Sequence, residues 1–167
     1  VFPVFQTPWD DEECVDLAVL EKEIAWLFAQ GADGVVMAMV SETLRMSAHE
    51  RDALASEVCR MASGKGAAII SVGAEATVLA EGHAIHAEEA GADALMAIPP
   101  VAVALGEAQL LAYYRRIIEA VSIPVIVQDA SGYVGRPMPV AMQARLLDEY
   151  GPERVLYKPE ASPIGPR

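Results

Sequence analysis

Lysine, cysteine and long apolar runs are all scarce in this chain of 167 residues. The two cysteines, Cys14 and Cys59, lack the close spacing of metal ligands, so we interpret them as reduced structural thiols. The histidines, His49, His83 and His86, lack the i, i+4 spacing of a zinc pair, so we expect no metal site. No run reaches the roughly 18 consecutive apolar residues that a membrane-spanning helix needs. The net charge is -12 and no basic stripe is present, which argues against a nucleic-acid partner. This composition agrees with a soluble, cytoplasmic enzyme.

Short apolar runs recur along the chain at intervals of roughly 30 residues, about the length of one strand and its crossover helix. Each run is short enough for a buried strand and is bounded by glycine, proline or charged residues. The six predicted strands span residues 1–7, 34–40, 67–73, 94–98, 124–128 and 154–158. Because these runs are apolar throughout, we expect the strands to be covered on both faces, as in an all-parallel α/β fold.

Helical patterns lie between the predicted strands. An apolar stripe at helical spacing spans residues 17–28, and Ser47 with Glu50 predicts a capping box at the start of the next helix. Two near-identical junctions, residues 30–37 and 90–96, place a glycine at a helix end and an aspartate before the following strand. We favour a (β/α)8 barrel over an open doubly wound sheet, because no Gly-x-Gly-x-x-Gly turn follows the first predicted strand.

The chain is short for such a barrel, which usually takes about 250 residues. Its 167 residues supply about the first six of the eight strand–helix units. We therefore expect one barrel domain over residues 1–167 that is truncated after the sixth strand. The proline- and glycine-rich stretch from Pro159 to Arg167 has the composition of a loop that follows a strand.

Lys158 is one of three lysines and ends the last predicted strand. A lysine is rarely fully buried without a partner, so a lysine at the end of an apolar strand needs a physical reason. Desolvation there would favour the neutral amine, which attacks carbonyl carbons. The alternative is a lysine whose stem lies on the barrel wall while its charged end reaches water. Tyr157, its neighbour, should point to the opposite face, between sheet and helices.

Several motifs resemble, in their order, the dihydrodipicolinate synthase / N-acetylneuraminate lyase family. They are Phe2-Pro3-Val4-Phe5-Gln6-Thr7-Pro8-Trp9, Ser41-Glu42 and Ser47–Arg51 after the second predicted strand, Pro99-Pro100 after the fourth, and Lys158 on the sixth. The resemblance implies a (β/α)8 barrel whose sixth-strand lysine forms a Schiff base with a 2-oxo acid. It therefore implies that Lys158 is the nucleophile, that no cofactor is required, and that the protein is a homo-oligomer, either a dimer or a tetramer.

Other positions depart from the family pattern. The usual Gly-Thr-Thr-Gly-Glu of strand two is Ala38-Met39-Val40-Ser41-Glu42 here, and the usual Tyr-Asn of strand five is Gln128-Asp129. Tyr133 stands where dihydrodipicolinate synthases carry an arginine, and Val101 stands where they carry a tyrosine. Gln128, Val40 and Val101 cannot form the proton relay of those enzymes, so we do not expect dihydrodipicolinate synthesis itself.

The combination of Ser-Glu, Met-Ala-x-Pro-Pro and Val-Gln-Asp-Ala instead resembles the branch that dehydrates 2-keto-3-deoxy sugar acids, notably the L-2-keto-3-deoxyarabonate dehydratases. This resemblance implies a Schiff-base lyase that removes water from such an acid. Two alternatives stay open. One is an aldolase or synthase of the same family that uses pyruvate. The other is a non-catalytic barrel that binds a 2-oxo acid, which the missing threonines and tyrosines motivate.

The chemistry of this reaction suggests a role for each polar candidate. An iminium at C2 acidifies the C3 proton, and the resulting enamine can expel a hydroxyl from C4. Gln128 is expected to orient a substrate hydroxyl or a water, because an amide does not titrate. Asp129 and Glu42 could assist the loss of water if burial raised their pKa. Their structural alternatives are that Glu42 caps the following helix or loop and that Asp129 braces the turn at Ser131-Gly132.

The remaining candidates are expected to bind substrate. Val40 and Ser41 could donate backbone N–H groups to a carboxylate, and the Ser41 hydroxyl could replace a lost donor. Tyr133 lies in the loop region above the fifth predicted strand and is a candidate substrate contact.

Overall fold

The computed structural model describes residues 1–134 and 137–159, with only the backbone described at residues 133–134. The strands are β1 (Gly34–Met37), β2 (Ala67–Ser71), β3 (Ala94–Ala97), β4 (Val125–Gln128) and β5 (Val155–Lys158). The helices are α1 (Leu17–Ala29), α2 (Ala48–Ala62), α3 (Thr77–Glu89), α4 (Glu107–Ala120), α5 (Ser131–Val134) and α6 (Val140–Tyr150), with 3-10 turns at Met39–Ser41 and Thr43–Arg45. The strand order is β1-β2-β3-β4-β5, which follows the chain as in the predicted barrel and differs from the reversed order of a doubly wound sheet.

The first predicted strand, residues 1–7, is wrong as a regular strand. It meets β1 through one parallel bridge, between Val4 and Val36. The Val36 N–H donates to the Pro3 carbonyl at 2.9 Å, which ties the segment to the strand. Pro3 itself has no N–H and cannot return a bond, so an extended ladder does not form. The other five predicted strands are present, and each is one to three residues shorter than predicted.

The chain divides into two compact units, and the first comprises Val1–Ser71 with His86–Ala94. Within it β1 pairs with β2 in parallel, and every residue of β1 is buried. The predicted capping box of α2 is confirmed, because Glu50 donates its N–H to the Ser47 hydroxyl at 3.3 Å and accepts the Ser47 N–H at 2.8 Å.

The repeated junctions of this unit also have the predicted form. Gly31 and Gly91 have φ angles of 89° and 94°, in the left-handed region that favours glycine. The aspartate that follows each glycine then joins the strands: the Asp33 carbonyl accepts the Ala67 N–H at 3.0 Å, and the Asp93 carboxylate accepts the Ala68 N–H at 2.8 Å.

The second unit comprises Val72–Ile85 with Leu95–Arg167, of which residues 135–136 and 160–167 are not described. Here β4 pairs in parallel with β3 and with β5. The inner stripe of α4 is buried and includes Leu110, Tyr113, Tyr114, Ile117 and Ile118. Among the described residues, none of the helices combines the length and apolarity that crossing a membrane requires.

Candidate active site

Lys158 lies at the carboxyl end of β5, where it is exposed. Its partner across the parallel ladder is Gln128, the last residue of β4, which is only 4% exposed. The Asp129 N–H donates to the Lys158 carbonyl at 3.2 Å and closes this end of the ladder. Paired residues on parallel strands point to the same face, and the strands lie about 4.8 Å apart. The register therefore brings the side chains of Gln128 and Lys158 together on one face.

Tyr157 points to the opposite face, as predicted from strand alternation. Its hydroxyl donates to the Gln143 carbonyl of α6, and burial raises the pKa of this phenol to about 12. Lys158 consequently points away from the helix that packs on Tyr157. Within residues 1–134 and 137–159, Lys158 makes no salt bridge, so no carboxylate in these ranges forms an ion pair with its side-chain nitrogen.

Asp129 directly follows β4, and its carboxylate is engaged within the protein. The carboxylate is 7% exposed, and it accepts the backbone N–H of Met138. It also lines a cavity of about 250 Å³ whose wall includes Pro99, Leu110 and Met138 but neither Gln128 nor Lys158. Asp129 therefore braces the chain nine residues ahead, beyond the turn at Ser131-Gly132.

Two adjacent tyrosines of α4 bind carbonyls at this edge of the second unit. The Tyr113 hydroxyl donates to the Ile98 carbonyl at 3.1 Å. The Tyr114 hydroxyl lies 3.4 Å from the Ala97 carbonyl and 3.3 Å from the Gln128 carbonyl. Both side chains are almost completely buried, so these bonds replace water that the hydroxyls would otherwise bind.

Glu75 shapes the loop that follows β3. Its carboxylate accepts the backbone N–H of Val101 at 2.8 Å and that of Ala102 at 3.1 Å. Val101 is the position at which the sequence departs from the family's tyrosine. The loop at this position is thus held by its backbone and supplies no side-chain hydroxyl.

Ser41 belongs to the first unit and is fully buried. Its hydroxyl donates to the Phe5 carbonyl at 2.7 Å and accepts the Ala38 N–H at 3.2 Å. Its own N–H donates to the Ala38 carbonyl at 2.9 Å, and the Thr7 hydroxyl donates to its carbonyl at 2.7 Å. Ser41 therefore joins the amino-terminal segment to the turn after β1. The neighbouring Val40 side chain is 55% exposed.

Glu42 also lies in the first unit and has a φ angle of 61° in the left-handed region. Its carboxylate accepts the Trp9 indole N–H at 2.7 Å and an Arg45 guanidinium N–H at 2.8 Å. The side chain makes no capping bond to the 3-10 turn that follows, so the capping alternative is wrong. Tyr133 lies in α5, and its side chain is outside the described residues.

Sequence reasoning missed several of these polar contacts. Tyr113 and Tyr114 received no role from the sequence, and the signal that could have found them is a pair of hydroxyls on an otherwise apolar helix face. Trp9 and Thr7 stood within a motif without a stated role. Glu75 carried no signal, because its partners are backbone groups 26 and 27 residues away.

Residues 1–151 match the model of the dihydrodipicolinate synthetase family. The L-2-keto-3-deoxyarabonate dehydratase of Azospirillum brasilense is 30% identical over 161 residues, which are 94% of this chain and 51% of that protein. The 4-hydroxy-tetrahydrodipicolinate synthase of Brucella suis biovar 1 (strain 1330) is 30% identical over 128 residues, or 75% of this chain and 43% of that protein.

The structural likeness is close. The chloride-inhibited dihydrodipicolinate synthase of Acinetobacter baumannii, solved with pyruvate, has a TM-score of 0.88 and 27% identity, covering 96% of this chain and 55% of that one. With the parallel strand order, this likeness confirms the predicted fold class, a (β/α)8 barrel of which this chain supplies a part. The chain spans about half the length of the relatives it matches.

Proposed function

The chain belongs to the dihydrodipicolinate synthetase family, and from this membership we propose that it carries the nucleophile of a Schiff-base lyase acting on a 2-oxo acid. The observation that supports the proposal most directly is the register of β4 and β5, which pairs Lys158 with Gln128 on the face opposite to the one where Tyr157 bonds to α6. The family model matches residues 1–151 and so does not include Lys158. The role proposed for Lys158 therefore rests on its place at the end of β5, beside Gln128. The chain spans about half of its relatives, and the activity is proposed for the whole protein.

The proposed chemistry begins at the Lys158 amine. The neutral nitrogen attacks the C2 ketone, and loss of one water leaves an iminium. Removal of a C3 proton gives an enamine, which expels the C4 hydroxyl as a second water. Hydrolysis of the C2–N bond then returns the amine and releases a product that keeps every carbon. The role we propose for Gln128 is to orient a substrate hydroxyl or a water near the reacting carbons, because its amide both donates and accepts.

Dehydration of a 2-keto-3-deoxy sugar acid is the specific reaction that we favour. The likeness to an L-2-keto-3-deoxyarabonate dehydratase over 94% of this chain supports it. The valines at positions 40 and 101 also favour it over a synthase, because neither carries a proton to relay. A pyruvate-dependent synthase or aldolase is the second candidate, and the likeness to 4-hydroxy-tetrahydrodipicolinate synthases supports that one.

The other site residues stay predictions. Ser41 has both of its donors engaged within the protein, so binding of substrate would require one of these bonds to open. Glu42 would have to act as an acid while held by Trp9 and Arg45. Asp129 is a predicted acid or base for the loss of water, and its bond to the Met138 N–H is the competing structural role. Substrate contacts by Val40 and Tyr133 are likewise predicted. A cytoplasmic homo-oligomer, either a dimer or a tetramer, and a single barrel domain complete the proposal.

Borohydride trapping of the full-length protein tests the nucleophile. Borohydride reduces an iminium to a stable secondary amine, so incubation with a 2-keto-3-deoxy sugar acid or with pyruvate should add the mass of the reduced acid. Peptide mapping should place this mass on Lys158. Lys158→Ala should abolish the adduct, whereas Lys22→Ala, which removes an exposed lysine of α1, should retain it.

The products and the binding data separate the alternatives. A product that retains every carbon supports dehydration, and release of pyruvate supports an aldolase. Saturable binding of 2-oxo acids without adduct or turnover would establish the non-catalytic barrel instead. An adduct that persists in Lys158→Ala would contradict the proposal outright.

A further inference from the structure

The hydroxyl of Tyr113 is inserted into a parallel β-ladder. The Val72 N–H donates to the Met96 carbonyl at 2.8 Å, and the same repeat would next join the Ala74 N–H to the Ile98 carbonyl. Instead, the Ala74 N–H donates to the Tyr113 hydroxyl at 3.0 Å, and that hydroxyl donates to Ile98 at 3.1 Å. Tyr113 thus completes the ladder at the point where the two backbones separate.

The hydroxyl of Tyr114 occupies the corresponding position between β3 and β4. The Leu95 N–H donates to the Pro124 carbonyl at 2.9 Å, and the two-residue repeat of the ladder would bring the N–H of residue 99 to the Gln128 carbonyl. Residue 99 is Pro99, which has no N–H. The Tyr114 hydroxyl lies 3.3 Å from the Gln128 carbonyl and 3.4 Å from the Ala97 carbonyl. The ladder repeat already brings the Gln128 N–H to the Ala97 carbonyl, so the single hydroxyl proton can go to the Gln128 carbonyl and supply the donor that the proline lacks.

Tyr114 is suited to act as a permanent donor. Its side chain is completely buried, and this burial, with smaller contributions from Tyr113, Asp129 and Tyr157, raises the pKa of the phenol well above its usual value. The proton therefore stays on the hydroxyl at neutral pH. The Tyr113 ring packs edge-on against the Tyr114 ring with centroids 5.2 Å apart, which limits movement of both rings.

We propose that Tyr114 is a positioning residue. Its hydroxyl binds the Gln128 carbonyl, a bond that Pro99 cannot make because it has no N–H, and so fixes the end of β4 and holds Gln128 beside Lys158. The proposal rests on the Schiff-base function proposed above, because only that chemistry requires Gln128 to be placed precisely. Small displacements of a group that orients substrate lower the rate of the chemical step far more than they lower binding. Tyr114 itself touches neither the substrate nor the reacting atoms.

The test compares Tyr114→Phe with Tyr113→Phe in the full-length protein. Each variant removes one buried hydroxyl from the same helix and keeps the ring, but only the first hydroxyl binds Gln128. Amide hydrogen exchange reports the backbone directly, since the Asp129 N–H bonds to the Lys158 carbonyl. We expect Tyr114→Phe to speed exchange at Asp129 roughly tenfold. Tyr113→Phe should instead speed exchange at Ala74.

Kinetics and a rescue variant complete the test. Tyr114→Phe should lower kcat by roughly 10- to 100-fold with little change in KM. Adding Pro99→Ala returns an N–H to residue 99, so the double variant Tyr114→Phe with Pro99→Ala should regain much of the Asp129 protection and of kcat. Rescue by a substitution in the segment after β3 would not follow from general loosening of the core.

Three results decide the matter. Unchanged Asp129 exchange and kcat in Tyr114→Phe would overturn the proposal. If both single variants lost the same protection from exchange at the Asp129 amide, and Pro99→Ala did not restore it, the proposal would also be overturned. Such a result would indicate non-specific destabilisation. Faster Asp129 exchange in Tyr114→Phe alone, in a protein that never forms a borohydride adduct, would refute the Schiff-base function while supporting the control of Gln128 by Tyr114.

Discussion

The carboxyl end of β1 in the first unit and the ends of β4 and β5 in the second are held in different ways. After β1, the strand-end side chains do the holding themselves: Ser41 binds the Phe5 carbonyl, and Glu42 binds Trp9. At the end of β4, a side chain from a helix holds the backbone, since Tyr114 binds the Gln128 carbonyl. Where a helix side chain fixes the backbone of a strand end, the side chains of that strand are not needed for this purpose and can contact a ligand.

Because of this difference, we expect substitutions in the two regions to change different measured quantities. Substitutions after β1 should register mainly in the free energy of unfolding, because the side chains there form bonds within the protein. Substitutions at Gln128 and Lys158 should register mainly in turnover. Substitutions at Ser41, Asp129 and Glu149 test this difference, in decreasing order of the expected effect on stability.

Ser41→Ala should destabilise the protein by about 1–3 kcal/mol, because it leaves the buried Phe5 carbonyl without its hydroxyl donor. Chemical denaturation should show a lower midpoint with an unchanged slope. Ser63→Ala, at an exposed serine of the same unit, is the matched control and should change stability little. Full stability together with a large fall in kcat/KM would reverse the comparison and make Ser41 a substrate ligand.

Asp129→Asn should cost about 1 kcal/mol or less, since the amide oxygen can still accept the Met138 N–H but without the negative charge. Thermal denaturation measures this cost, and steady-state kinetics on the same sample measure turnover. We expect kcat to change only slightly, because the carboxylate lines a cavity that Lys158 does not border. A fall in kcat of about 100-fold at normal stability would instead identify Asp129 as an acid or base in the reaction.

The smallest effect is expected where Glu149 of α6 meets Arg115 of α4 at the surface. Glu149 accepts hydrogen bonds from Arg115 at 2.8 Å and Arg145 at 2.9 Å, and these bonds lower its pKa from 4.5 to about 2. A carboxylate with a lowered pKa contributes stability above about pH 4.5, and the contribution is lost as the pH falls toward 2. Glu149→Gln should therefore lower Tm slightly near pH 6 and hardly at all near pH 2. Identical Tm differences at both pH values would show that this carboxylate does not anchor α4 to α6.

Much of the fold could be predicted because its signals are local. Apolar runs located β1 to β5 within a few residues, and the pair Ser47 and Glu50 located the start of α2. Strand alternation also predicted that Tyr157 faces a helix. The prediction of a strand over residues 1–7 was wrong because a run of apolar residues does not show which backbone groups find hydrogen-bond partners. Pro3 has no N–H to contribute to a ladder.

The sequence by itself determined the alternation of strands and helices and the placement of one lysine at a strand end, because hydrophobic periodicity and capping act over a few residues. Only the tertiary structure decided which polar groups meet. The Ser41 hydroxyl bonds to a residue 36 positions away, and Tyr114 bonds to one 14 positions away. Such pairings depend on how whole elements pack, since a buried donor binds whichever acceptor the fold brings within about 3 Å.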